Sequence, residues 1–218
     1  MCFSATASFV AGSALSVVGV VTIAKAKRKA QIPFAMIPLL FGIQQIAEGF
    51  IWLSFRFNTL WLNTTMTYAY SMFSHVLWPI FVPLAVGLLE TVPWRKKVIS
   101  IFQFMGIAVS LYLLYFLVKF TITSQVVNKS IVYDSPHFYL IPVLIFYFAA
   151  TCISSFFSSH KIINVFGITA LLPAAVVYLF YAPSFVSRWC FSAAILSVMI
   201  LLYFICVCCI FHYSKHRL

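Results

Sequence analysis

Glu48 is one of three acidic residues in a chain of 218, the others being Glu90 and Asp134, and it stands in the apolar stretch FGIQQIAEGF (41–50) beside Gln44 and Gln45. A carboxylate in such surroundings can hold a cation, pair with a base or pass a proton. At 100° per residue, Gln44, Gln45, Glu48 and Trp52 fall on one helical stripe about 100° wide. Thr67, Ser71, Ser74, His75 and Trp78 share a second stripe further on. Glu48 and His75 are the titratable pair of the two stripes. Gln44, Gln45 and Ser71 add hydrogen-bonding groups, and Trp52 and Trp78 add walls.

The elements that position these groups read as membrane helices. The chain is 64% hydrophobic and 8% charged, against about 25% charged in a soluble domain. Seven runs reach the roughly 20 residues that a bilayer crossing takes. They lie near 5–24, 33–54, 66–89, 98–118, 138–158, 162–182 and 189–210. Strands are not expected, because lipid admits them only as closed barrels of alternating polarity. The longest connection, 121–137, is too short to fold alone. The expected fold is therefore all-α, a single seven-helix membrane domain over 1–218, with the lipid bilayer as its first partner. The +11 net charge carries no nucleic-acid footprint, since the basic residues fall in short blocks between apolar runs.

Those blocks give the orientation. With the N-terminus outside, the inner side holds Lys25, Lys27, Arg28, Lys29, Arg95, Lys96, Lys97, Lys161, Lys215 and Arg217. Arg56, Lys119, Lys129 and Arg188 stay outside. Ten against four is a positive-inside bias. No basic segment precedes the first run, so helix one is expected to stay rather than be cleaved. At about 1.5 Å per residue, Glu48 then lies roughly 9 Å, His75 roughly 13 Å and Gln44 roughly 15 Å below the outer boundary. A charge facing lipid costs about 3 kcal/mol or more, so both stripes should face protein or a cavity. Gly42 and Gly49 permit close helix approach there. Pro79 has no N–H to give the carbonyl four residues back, which frees the His75 carbonyl and favours a wet outer half. Glu48 and His75 are expected in one outer cavity, directly or through one water, with Arg188 near by. The same pair could instead lock two helices together.

Cys2 and Cys190 face the oxidising side, where a disulfide persists; a metal shared with His75, or two free thiols, are the other readings. Removal of Met1 would place an amine beside the Cys2 thiol, an N-terminal nucleophile. Cys152, Cys206, Cys208 and Cys209 read as packed, reduced thiols. Ser71-x-x-x-His75 and His212-x-x-x-His216 are similar to the zinc motifs of the seven-helix hydrolases that include alkaline ceramidases. Topology separates them, because His75 lies in the outer half and His212 and His216 at the inner surface. A zinc ligand sits about 2 Å from its metal. No resident metal is assigned, and any other cofactor is left open.

The opening MCFSATASF, the segment PLLFGIQQIAEGFIWL, the Ser-Ser-His at 158–160 and WCFSAAILS resemble a family of bacterial multi-pass membrane proteins known only as a domain of unknown function. The resemblance spans most of the chain. It implies a bacterial inner-membrane protein with seven helices and implies no activity.

The functional expectation is a binding protein, whether carrier, sensor or partner subunit, that takes a small polar or cationic ligand or a lipid headgroup from the outer side. Gln44, Gln45, Glu48, Trp52, Ser71, His75, Trp78 and Arg188 form its site. An intramembrane enzyme acting on lipids or thiols through His75 and Glu48, with Cys2 or a metal, is the alternative. A purely structural subunit is a third. Substrate and oligomeric state are not written in these residues.

Overall fold

The computed structural model describes residues 4–127, 129–181 and 191–215. The helices are α1 (Ala5–Lys25), α2 (Ile32–Arg56), α3 (Leu60–Ser71), α4 (Trp78–Leu89), α5 (Pro93–Lys119), α6 (Ile141–Thr151), α7 (Lys161–Tyr181) and α8 (Phe191–Lys215). Four helical rods, Ala5–Lys25, Lys29–Arg56, Leu60–Leu89 and Pro93–Lys119, are long and apolar enough to cross a membrane. Ile141–Phe157, Lys161–Val176 and Ser192–Ile205 are shorter apolar helical stretches. The expected third run begins at Leu60 rather than near 66. Asn63 and Thr64 are helical despite their polarity, because they border the polar segment 121–125. The expected fifth run is broken into α6 and a 3-10 turn, Ile153–Phe157.

Small residues decide how closely α1 and α2 approach. A Cβ placed on Gly42 would lie 2.8 Å from the Gly12 carbonyl and would press on Ser16. Backbone therefore packs on backbone, as in small-residue membrane interfaces. The Thr22 hydroxyl lies 2.8 Å from both the Gly19 and the Ala35 carbonyls, bridging the two helices.

Residues 121–137 correct the loop expectation. Thr123–Val127 (β1) and Ser130–Asp134 (β2) form an antiparallel hairpin, from Thr123 opposite Asp134 to Val127 opposite Ser130. It is tight enough to hold Lys129 at φ 57°. Two strands alone are marginal in water, and here the helices complete the structure. Tyr133 stacks on Tyr70 at 4.5 Å, with the rings within 5° of parallel. A directed chain of hydrogen bonds also runs between the elements. Thr67 donates to Ser124 (2.9 Å), Ser124 to Asn63 (3.2 Å), Asn63 to Ser54 (3.0 Å) and Ser54 to the Ile51 carbonyl (2.6 Å). The hairpin is held against α3 by these contacts.

A π-helical segment, Met72–Leu77, joins α3 to α4 and corrects the proline expectation. The Trp78 N–H bonds the Phe73 carbonyl, five residues back. In that register the N–H missing at Pro79 falls on the Ser74 carbonyl, not on that of His75. Tyr147 of α6 donates to the Ser74 carbonyl at 2.6 Å. From α5, Ser110 donates to the Val76 carbonyl (2.8 Å) and Gln103 to that of Ile80 (3.1 Å). Tyr147 thus supplies the donor that Pro79 lacks.

Candidate functional site

The α2 stripe is buried as its pattern required: Gln44, Gln45 and Glu48 are each at most 3% exposed. Gln45 Nε2 donates to Glu48 Oε2 at 2.6 Å, an i, i+3 pair on one helix face. One turn toward α4, Trp78 Nε1 donates to Gln44 Oε1 at 2.8 Å, and Phe41 packs on the indole at 4.2 Å. A tryptophan buried with its N–H matched to an acceptor is held in one orientation.

Gln44 and Trp78 edge a chamber of about 40 Å³. Its polar wall adds Ser74, Tyr147, Thr151 and Ser192, and Phe138, Phe166 and Leu196 belong to the apolar one. A water needs about 10–15 Å³ by this measure, so the chamber admits two or three waters or a group of a few heavy atoms. Its described polar lining is neutral, made of hydroxyls, an amide and an indole.

His75 goes elsewhere. It is buried, and its ring nitrogens meet two serines: Ser74 Oγ lies 2.7 Å from Nδ1 and Ser135 Oγ 3.0 Å from Nε2. Phe138 covers the ring at a centroid distance of 4.4 Å. Of the contact expected between His75 and Glu48, direct or through one water, the direct hydrogen bond is not formed, and neither residue lines the chamber. The π segment is the reason. It adds a residue to one turn and shifts the phase of every residue after it, so Trp78 reaches Gln44 while His75 turns toward the hairpin.

Among the described residues, Ser71 Oγ and Trp52 Nε1 are buried and meet no hydrogen-bond partner. Arg188, Cys2 and Cys190 lie outside the described residues, and with them the expected disulfide. Among the described residues no three His, Cys, Asp or Glu side chains come together as metal ligands.

At the opposite end from the hairpin, a group the stripes did not reveal joins two turns. Glu90 Oε1 accepts from Thr91 N (3.0 Å), Val92 N (2.9 Å) and Ser159 Oγ (2.8 Å), and Oε2 accepts from Ser159 N (2.6 Å). Arg95 donates to the Ser158 carbonyl at 3.0 Å. Burial alone would push the Glu90 carboxyl up, but the bonds from Val92, Ser159 and Thr91 outweigh it and hold it below the ordinary glutamate value. Tyr147, Thr151 and Ser192 were likewise missed, because a lone hydroxyl inside an apolar run breaks no pattern. Glu90 carried one available signal, as one of three acids in the chain.

No curated protein and no solved structure matches this sequence. The model of a family of unknown function, DUF6629, matches residues 1–208, and the chain belongs to that family.

Proposed function

We propose that this is a seven-span protein of a bacterial inner membrane, with its N-terminus outside and its C-terminus inside. It acts as a binding protein, holding a small polar or cationic ligand or a lipid headgroup in the chamber bounded by Gln44 and Trp78. The observation that carries this reading is a buried carboxylate, Glu48, fixed by Gln45 one turn from a polar chamber. Ionisable groups at membrane depth are expensive and mark sites where charge is used. Glu48 supplies the field that favours a cation. Gln44, Ser74, Thr151 and Ser192 supply neutral hydrogen bonds, and Trp78 a face on which a cation can rest. The four cations assigned outside and ten inside support the orientation.

Single cysteines in a cysteine-free background test that orientation. At Asn58 and Gln125 they should react with a membrane-impermeant maleimide from the periplasmic side. At Lys27 and Lys96 they should react only after the membrane is opened. Reaction at Lys27 in intact cells would place the Glu90 end outside and reverse the side from which the chamber fills.

A further inference from the structure

We infer that Ser135 and His75 form a nucleophile–base pair at the floor of a groove at the hairpin end, acting on acyl esters. The groove is a different cavity from the ligand chamber, and the pair and the chamber share Ser74 and Phe138, which line the chamber and also contact the His75 ring.

Both ring nitrogens of His75 meet a serine hydroxyl. Ser74 Oγ lies 2.7 Å from Nδ1 and 3.3 Å from the Ser71 carbonyl. In the tautomer that such a pair requires, the proton sits on Nδ1. That leaves the Nε2 lone pair facing Ser135 Oγ at 3.0 Å, within the reach of proton transfer. The pattern is nucleophile, base and a third group that orients the base. Phe138 against the ring fixes its plane. His75 is 2% exposed, whereas Ser135 is partly exposed and opens to the groove.

The groove suggests the substrate. It encloses about 300 Å³, the lower end of small-molecule sites. One wall is the end of α5, with Leu113, Phe116, Leu117 and Phe120, and the other carries Thr121, Asp134, Ser135 and His137. The apolar wall fits an acyl chain, and Thr121 and His137 put a hydroxyl and a ring on the wall that carries Ser135. In the reaction, Ser135 Oγ bonds to the ester carbonyl carbon as its proton passes to His75 Nε2. The ester C–O bond breaks, and the leaving alcohol takes that proton. Water then attacks the acyl-serine and gives one proton to His75, which returns it to Ser135 as the carboxylic acid departs. Atoms balance with water as the sole co-reactant.

A decyl fluorophosphonate tests the pair, since Ser135 attack on phosphorus expels fluoride and leaves a stable adduct. The full-length protein in lipid nanodiscs should gain one adduct by intact mass, mapped to Ser135. Ser135→Ala should abolish it, and Ser100→Ala should label at the wild-type rate. His75→Gln should slow labelling about 100-fold or more, the scale of general-base assistance. Ser74→Ala, which removes the hydroxyl beside Nδ1 and one hydroxyl from the chamber wall, should slow it several-fold while melting near the wild type; it stands in if His75→Gln does not fold. No adduct on the wild type, an adduct that survives Ser135→Ala, or wild-type rates in both the His75 and Ser74 variants would overturn the assignment.

Discussion

Gly106→Leu is expected to yield little folded protein, and Gly106→Ala a folded protein that melts well below the wild type. Pro83 lacks the N–H that would bond the Pro79 carbonyl four residues back. That carbonyl turns instead onto the face of α5, where only a hydrogen at Gly106 leaves room for it. A Cβ there would collide with the Pro79 carbonyl and crowd Ala150 at 3.2 Å. The obstacle is backbone in a rod pinned by Ser110 and Gln103, so it cannot swing away like a side chain. Overpacking costs about 1–3 kcal/mol or more, which exceeds the roughly 1 kcal/mol that alanine gains over glycine in a helix. Gly87→Ala provides the contrast, since its Cβ would meet only the Ile99 side chain, at 3.3 Å. That variant should melt within a few degrees of the wild type. Thermal unfolding in detergent reads both, and a Gly106→Ala protein as stable as Gly87→Ala would contradict this packing of α4 on α5.

Glu90→Ala should be the most damaging change at the other end of the bundle. It leaves the N–H groups of Thr91, Val92 and Ser159 without their acceptor, at about 2–3 kcal/mol for orphaned, part-buried donors. Glu90→Gln keeps one acceptor oxygen and should cost less. The pH dependence has a fixed sign. The folded carboxyl titrates below its ordinary value of 4.5, so its contribution is present above that value. It is lost as pH falls from about 4.5 through the lower folded pKa. Melting curves between pH 7 and pH 3 should therefore converge for wild type and Glu90→Gln. A gap that stays constant with pH would show that the carboxylate does not hold the two turns.

How far the sequence reached can be seen at particular residues. The apolar runs located the helices because hydrophobic length is a one-dimensional property, and the Gln44–Gln45–Glu48 stripe was legible because α2 keeps a 3.6-residue period through it. His75 was not, since a π segment is invisible to a helical wheel and alters the phase where the wheel is being read. The hairpin was hidden for another reason. Ser124 and Tyr133 acquire meaning only from Thr67, Asn63 and Tyr70, more than fifty residues earlier in the chain. The donors to the carbonyls around the proline break, Tyr147, Ser110 and Gln103, were silent because each lies in an apolar run and its partner is a backbone carbonyl.

Native mass spectrometry of the protein released from lipid nanodiscs tests the binding reading most directly. Three proteins are compared: the wild type, Ala193→Phe, which fills the chamber, and Glu48→Gln, which keeps the shape of the buried pair and removes its charge. The wild type should retain one small molecule or lipid, displaced by Ala193→Phe and weakened by Glu48→Gln. A wild type at its bare sequence mass, or a retained species indifferent to both substitutions, would contradict a ligand in this chamber.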